Sequence, residues 1–154
     1  MQGLHLLIGL VAAAAFTNAS AQASASPLGR WLTASGNLEV DIAPCGAALC
    51  GVVTRVLGNR SMSREGQEMQ AVDTRPALGM KILRDFVPDS SEGERTTRWE
   101  GEIHNRENGK TYACQMSLGA DGGLVLRPYV GLPLFGKTQV WQRVTPPARP
   151  VDAR

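Results

Sequence analysis

The sequence predicts an all-β fold, an antiparallel up-and-down barrel of about eight strands. From Gly29 onward, apolar and polar residues alternate over short segments, which is the two-residue period of a half-buried strand. Turn-forming residues separate these segments, and none of them has the periodicity of an amphipathic helix. A meander of this kind has two edge strands, and closing the sheet pairs them with each other. A two-sheet sandwich is the alternative architecture.

The N-terminal segment has the pattern of a cleavable export signal. The apolar run over residues 6–16 is too short for a transmembrane helix, which needs roughly 20 apolar residues. Ala19-Ser20-Ala21 then supplies the small residues at which such signals are cleaved. A buried N-terminal helix is the alternative interpretation. We expect a signal peptide at 1–21, a short linker at 22–27, one domain at 28–145 and a disordered tail at 146–154.

No long apolar stretch follows the predicted signal. We therefore expect an exported, soluble protein without stable membrane insertion.

The first three predicted strands form a meander. Residues 30–33 make the first strand, and Leu38, Val40 and Ile42 give the second strand one apolar face. Residues 49–57 are rich in β-branched side chains and make the third strand.

A long polar segment, residues 58–77, interrupts the alternation. Loops of this length are uncommon in small domains unless they are functional or mobile. The fourth strand follows at residues 78–86, with Met80 and Ile82 in phase.

The C-terminal half contains four more predicted strands. Asn108-Gly109, the strongest short hairpin signal, separates the first two of them. The predicted strands span residues 96–104, 110–118, 124–130 and 137–144.

The three cysteines divide into a pair and a single residue. Cys45 and Cys50 are predicted to form a disulfide, which an oxidising compartment permits. So short a loop constrains the unfolded chain by only about 2 kcal/mol, so the bond chiefly orders a turn. Cys114 alternates with apolar residues in a strand and is predicted to be a buried, inert thiol.

Charge and motifs exclude several functions. With 16 Lys and Arg against 14 Asp and Glu, the net charge of +2 gives no electrostatic basis for binding nucleic acid or an acidic membrane. No Cys-x-x-Cys pair with matching histidines indicates a metal site. Phosphate-binding and dinucleotide-binding motifs are absent, so we predict no cofactor.

Several short motifs, in order, resemble a known family. They are Gly29-x-Trp31, Cys45-Gly46-x-x-Leu49-Cys50-Gly51, Leu78-Gly79, Trp99-Glu100-Gly101, Asn108-Gly109-Lys110-Thr111-Tyr112 and Gly136-Lys137-Thr138-Gln139-Val140-Trp141-Gln142-Arg143. In this order and spacing the chain resembles the bacterial exported family called domain of unknown function 2147. The resemblance covers about residues 28–144. It implies a lipocalin-like barrel in the periplasm or outside a bacterial cell, and no established activity.

The resemblance also implies a structural role for four residues. In the broader lipocalin pattern, an arginine of the last strand packs across the tryptophan of the first strand, a cation–π contact of roughly 0.5–2 kcal/mol. Gly29, Trp31, Trp141 and Arg143 are therefore expected to hold the barrel closed.

His104 is the one histidine after the predicted signal, so histidine-based catalysis would depend on it. It shares a strand face with Glu100 and Glu102, opposite Trp99 and Ile103, and that face is expected to be solvent-exposed. We therefore predict no catalytic residue. Burial of His104 beside a carboxylate in a cleft would favour a hydrolase or an isomerase.

An internal cavity is the better functional hypothesis. Trp99, Tyr112 and Met116 share an apolar face, and Arg127 and Tyr129 could supply polar contacts, so these five residues are the candidate ligand-binding site. Leu124, Leu126, Pro128 and Val130 compete with Arg127 for the interior of the same strand.

We therefore predict a non-enzymatic protein that binds a small apolar or amphipathic ligand. The alternative is a cell-envelope interaction module with a solid barrel and residues 58–77 as its contact loop. The same large side chains can fill a small barrel completely.

Overall fold

The computed structural model describes residues 26–92 and 97–145. The predicted signal peptide, most of the predicted linker and the predicted tail lie outside the described residues. Eight strands follow one another along the chain: β1 Gly29–Leu32, β2 Leu38–Cys45, β3 Ala48–Val56, β4 Lys81–Pro88, β5 Arg98–Asn105, β6 Lys110–Leu118, β7 Leu124–Tyr129 and β8 Gln139–Arg143. Short 3-10 turns occur at Ser90–Glu92 and Pro133–Phe135. Neither is long and apolar enough to cross a membrane, and no other helix occurs in the described ranges.

The strands form a closed antiparallel barrel in sequence order. Each strand pairs with the next, and β1 closes the sheet against β8 through Trp31 opposite Arg143 and Leu32 opposite Gln142. The predicted barrel is confirmed, and the sandwich alternative is wrong. Closure is favourable because it leaves neither β1 nor β8 with an unpaired edge.

The fourth strand begins later than predicted. Residues 77–80 form a turn in which Gly79 has a φ of 81° and the Met80 amide donates to the Ala77 carbonyl at 2.9 Å. A left-handed backbone at Gly79 cannot continue a strand, so β4 starts at Lys81.

The hydrophobic core is formed by the inward-facing side chains of the strands. Leu38, Val40 and Ile42 lie on one face of β2 as predicted, with Val40 and Ile42 buried and Leu38 partly buried. The largest fully buried side chains are Trp31, Trp141, Phe86, Leu83, Met116, Leu124 and Leu126.

Two inward glycines make room for bulky neighbours. A Cβ on Gly51 would lie 2.9 Å from the Leu83 Cβ, and one on Gly101 would lie 2.6 Å from the Phe86 Cγ. These approaches are shorter than carbon atoms tolerate. Glycine at both positions therefore allows Leu83 and Phe86 to fill the barrel.

One end of the barrel is closed by β1 and β8. The Trp31 ring is fully buried, and its Nε1 donates to the Pro27 carbonyl at 2.8 Å. The Arg143 guanidinium lies 4.1 Å from the Trp31 ring centroid, so the contact implied by the resemblance is present. Gly29 has a φ of 113°, and a Cβ there would lie 3.1 Å from Arg143 Nη1. The positive φ and the close approach of Arg143 thus both favour glycine at the first position of the Gly-x-Trp motif.

The predicted disulfide is confirmed at the same end. Cys45 and Cys50 are bonded across the β2–β3 hairpin, with their Cα atoms 5.8 Å apart. Gly46, in the two-residue turn between the strands, has a φ of 68°. The bond therefore secures a tight turn, and Cys114 is left as a buried free thiol.

Candidate functional site

The opposite end of the barrel contains a cavity of about 610 Å³. Its walls come from the loops β1–β2, β3–β4, β5–β6 and β7–β8 and from the strand ends next to them. Leu38, Ile82, Ile103 and Trp141 supply an apolar surface toward the barrel interior. This volume and lining fit one small ligand.

Polar side chains concentrate at the mouth of this cavity. They lie in the turns that connect the strands and near the strand ends beside those turns, because strand interiors contribute mainly apolar residues to the barrel. Those lining the cavity include Asn37, Asn105, Arg106, Glu107, Tyr112 and Lys137. The cavity is therefore amphipathic, apolar inside and polar at its opening.

The β3–β4 loop, residues 57–80, lies along one side of the mouth. Asn37 holds its beginning, donating from Nδ2 to the Arg60 carbonyl and accepting from the Arg60 amide, both at 2.8 Å. Within the loop, Arg60 and Glu68 form an isolated antiparallel bridge. The segment predicted as an irregular loop is thus ordered by a buried asparagine.

Glu107, in the β5–β6 turn, binds the same loop. Its carboxylate accepts from the Ser61 hydroxyl at 2.5 Å, the Ser63 hydroxyl at 2.7 Å and the Met62 amide at 3.0 Å. These bonds, led by that of Ser61, lower the pKa of Glu107 below its ordinary value. The Glu107 carboxylate is therefore ionised, and it accepts hydrogen bonds from uncharged donors of the loop.

His104 does not face solvent, and the expectation of an exposed side chain is wrong. Its side chain is only 7% exposed, and its Nε2 lies 2.7 Å from Asp73 Oδ2, on the loop. Its Nδ1 lies 3.1 Å from the Thr111 hydroxyl. Strand alternation does turn His104 outward, but the β3–β4 loop then covers it.

The protonation of this cluster follows from its partners. An ionised carboxylate only accepts, so His104 Nε2 donates to Asp73, and in the neutral imidazole Nδ1 accepts from Thr111. Asp73 also receives two hydrogen bonds from the Arg75 guanidinium. Arg75 is the main cause, and His104 a further one, of a pKa of Asp73 well below its usual range.

Two of the five candidate ligand-binding residues line the cavity, Tyr112 and Tyr129. Tyr112 packs against the core, and its hydroxyl accepts from Asn108 Nδ2 at 2.8 Å. The Tyr129 hydroxyl lies 3.5 Å from Glu100 Oε2, on the outer face of the sheet.

The other three residues lie elsewhere. Met116 is fully buried, and Trp99, its partner across β5 and β6, packs against the same core. Arg127 lies between inward Leu126 and Pro128, so its side chain points outward. There it donates to the Pro133 and Leu134 carbonyls and the Thr138 hydroxyl.

Sequence reasoning missed the residues that form the mouth. Asn37, Arg106, Glu107 and Lys137 all lie at turns, where no periodicity assigns a face. The available signal was the polar cluster at 104–109 together with a polar loop long enough to reach it.

No group of His, Cys, Asp or Glu suited to holding a metal ion occurs within residues 26–92 and 97–145.

A closed eight-stranded up-and-down barrel with an internal cavity at one end is the architecture of lipocalins. The solved structure of protein HP1028 from Helicobacter pylori, described as belonging to the lipocalin family, is similar to this fold. The two are 17% identical with a TM-score of 0.52, over 77% of this chain and 82% of HP1028. That likeness shows the fold.

The family of the chain follows from its sequence. The sequence model described as "uncharacterized protein conserved in bacteria (DUF2147)" matches residues 29–143, so the chain belongs to this family. No curated protein sequence matches the chain significantly.

Proposed function

We propose that the protein is an exported, non-enzymatic binding protein that holds a small apolar or amphipathic ligand in the cavity of its barrel. The observation that carries the proposal is the cavity of about 610 Å³, which is apolar inside and polar at its mouth. A barrel filled entirely by side chains, as an interaction module would have, leaves no such volume.

Export to the periplasm or the surroundings of a bacterial cell is part of this proposal. The Cys45–Cys50 disulfide supports it, because such bonds persist in oxidising compartments. The apolar run over residues 6–16 followed by Ala19-Ser20-Ala21 supports it from the sequence.

A neutral apolar fluorophore, N-phenyl-1-naphthylamine, tests whether the cavity binds ligands. We expect saturable fluorescence enhancement at a stoichiometry near one probe per protein. Ile103→Trp, which adds bulk to the cavity wall, should weaken probe binding at least tenfold. Val125→Trp introduces the same side chain at an outward, partly buried position of β7 that does not line the cavity, and it should leave binding unchanged. Equal binding by both variants, or none by the wild type, would contradict the proposal.

Hydrolysis is a second candidate function, favoured by one observation. Asp73, His104 and Thr111 are linked in the order acid, imidazole and hydroxyl found in nucleophilic hydrolases. The same bonds have a simpler role, because they fasten the β3–β4 loop to the barrel. p-Nitrophenyl acetate hydrolysis by wild type, His104→Gln and Thr111→Val separates the two roles. We expect equal, low rates in all three, and a His104-dependent rate would instead establish catalysis.

A further inference from the structure

We propose that the ligand is an amphiphile with an anionic head group, a carboxylate or a phosphate, and that Arg106 and Lys137 bind that head group at the cavity mouth. The inference rests on the proposed function, since it names the ligand class of the same cavity. The argument depends on which charges of the cavity wall already have partners.

Arg106 is a cation without an acidic partner. Its Nη2 donates to the Arg75 carbonyl at 3.0 Å and lies 3.5 Å from the Asp73 carbonyl. No carboxylate of the described residues forms a salt bridge with it, and its buried Nε has no hydrogen-bond partner there. A buried donor without a partner is costly, and the guanidinium has five N–H groups suited to a planar or tetrahedral anion.

Lys137 adds a second cation at the mouth. It follows the 3-10 turn of the β7–β8 loop and is exposed, and its ammonium makes no hydrogen bond or salt bridge with any residue that the structure describes. A lysine in this position can reach a ligand at little energetic cost, because no existing contact has to break.

The one acid of the cavity wall offsets only one of these two cations. Glu107 is the one Asp or Glu among the described lining residues, and its carboxylate is occupied by Ser61, Ser63 and the Met62 amide. Two cations therefore face the cavity against one carboxylate that neutral groups already solvate. The mouth attracts anions.

The position of the cations orients the ligand. Arg106 lies in the β5–β6 turn and Lys137 just before β8, whereas Ile103 and Trp141 lie further along the same strands toward the closed end. A hydrocarbon tail thus enters the apolar interior, and its charged head remains between the two cations at the opening.

Competition against N-phenyl-1-naphthylamine tests the head group, with dodecanoate, dodecyl phosphate and dodecanol as competitors of equal chain length. We expect at least one anion to displace the neutral probe roughly tenfold better than the alcohol. The better anion identifies the head group. Arg106→Gln and Lys137→Met should each reduce this preference several-fold, with displacement referred to each variant's own probe affinity.

Lys110→Met is the matched control, because Lys110 is an exposed lysine at the start of β6 that does not line the cavity. It should retain the full preference for the anion. Probe binding with equal displacement by dodecanol and both anions would overturn the inference while leaving the proposed function intact. Failure of the probe to bind would instead remove the proposed function. Should Arg106→Gln unfold the β3–β4 loop, Lys137→Met decides the outcome, since its side chain supports no other group.

Discussion

Removing the Arg143 guanidinium is expected to open the closed end of the barrel. Arg143 lies over the Trp31 ring at 4.1 Å and donates to the Leu28 carbonyl at 2.9 Å and the Ser26 carbonyl at 2.7 Å. In Arg143→Leu all three contacts disappear. The leucine side chain still covers part of the Trp31 ring. The loss of stability therefore reports on the charge and the hydrogen bonds of Arg143.

The size of the effect follows from these contacts. Each hydrogen bond contributes about 0.5–1.5 kcal/mol, and a cation–π contact at an exposed site contributes about 0.5–1 kcal/mol. Arg143 is exposed, so the lower values apply, and the expected loss of unfolding free energy is about 1.5 kcal/mol. For a domain of this size, that loss lowers the melting temperature by roughly 6 °C.

Thermal unfolding followed by circular dichroism measures this loss. Arg55→Leu makes the identical substitution on β3, where Arg55 has one ionic partner among the described residues, Glu39 at 3.4 Å, and its side chain is 64% exposed. The control should change the unfolding free energy by less than about 1 kcal/mol. Equal melting temperatures for the two variants would refute the role assigned to the Trp31–Arg143 contact.

Three further predictions concern the core, the thiol and acid stability. Gly101→Ala should destabilise the fold by about 1–3 kcal/mol in urea titration, because its Cβ would meet Phe86; unchanged stability would mean that β4 and β5 separate freely. Burial raises the pKa of Cys114 to about 12, so iodoacetamide at pH 8 should label it only after denaturation, and rapid native labelling would contradict its burial. The lowered pKa of Asp73 gives stability that is present above pH about 4 and lost as pH falls below it. Asp73→Asn should therefore make the acid-induced loss of stability shallower than in wild type, and an unchanged pH dependence would refute this.

The barrel could be predicted from the sequence because local periodicity determines which face of a strand is buried. Leu38, Val40 and Ile42 needed only their spacing to be placed on one inward face. The predicted strand limits were less accurate where an irregular backbone conformation shifted the pairing register of the strands. At β4, Ile82 and Leu83 are both buried, and Asp85 has a φ of 55°, so strict alternation does not hold there.

The functional end was harder to predict, because its contacts join distant parts of the chain. Alternation correctly placed His104 on the outer face, but its burial depends on Asp73, 31 residues earlier in a segment without periodicity. Likewise, nothing local pairs Glu107 with Ser61, 46 residues away. Loop docking of this kind is decided by tertiary contacts, which a single sequence does not reveal.

The attachment of the β3–β4 loop bears on how quickly a molecule can exchange with the cavity. Between its two ends, which are bonded to Asn37 and Val53, the loop is held by one hairpin. The His104, Arg106 and Glu107 side chains bind it, and the amides of Val72 and Asp73 donate to the turn of that hairpin. None of these bonds belongs to the ladders that join the eight strands. Under the proposed function, uptake and release of the ligand would therefore require only these few local bonds to break, at a rate independent of global unfolding. The pairing of the eight strands would stay intact throughout.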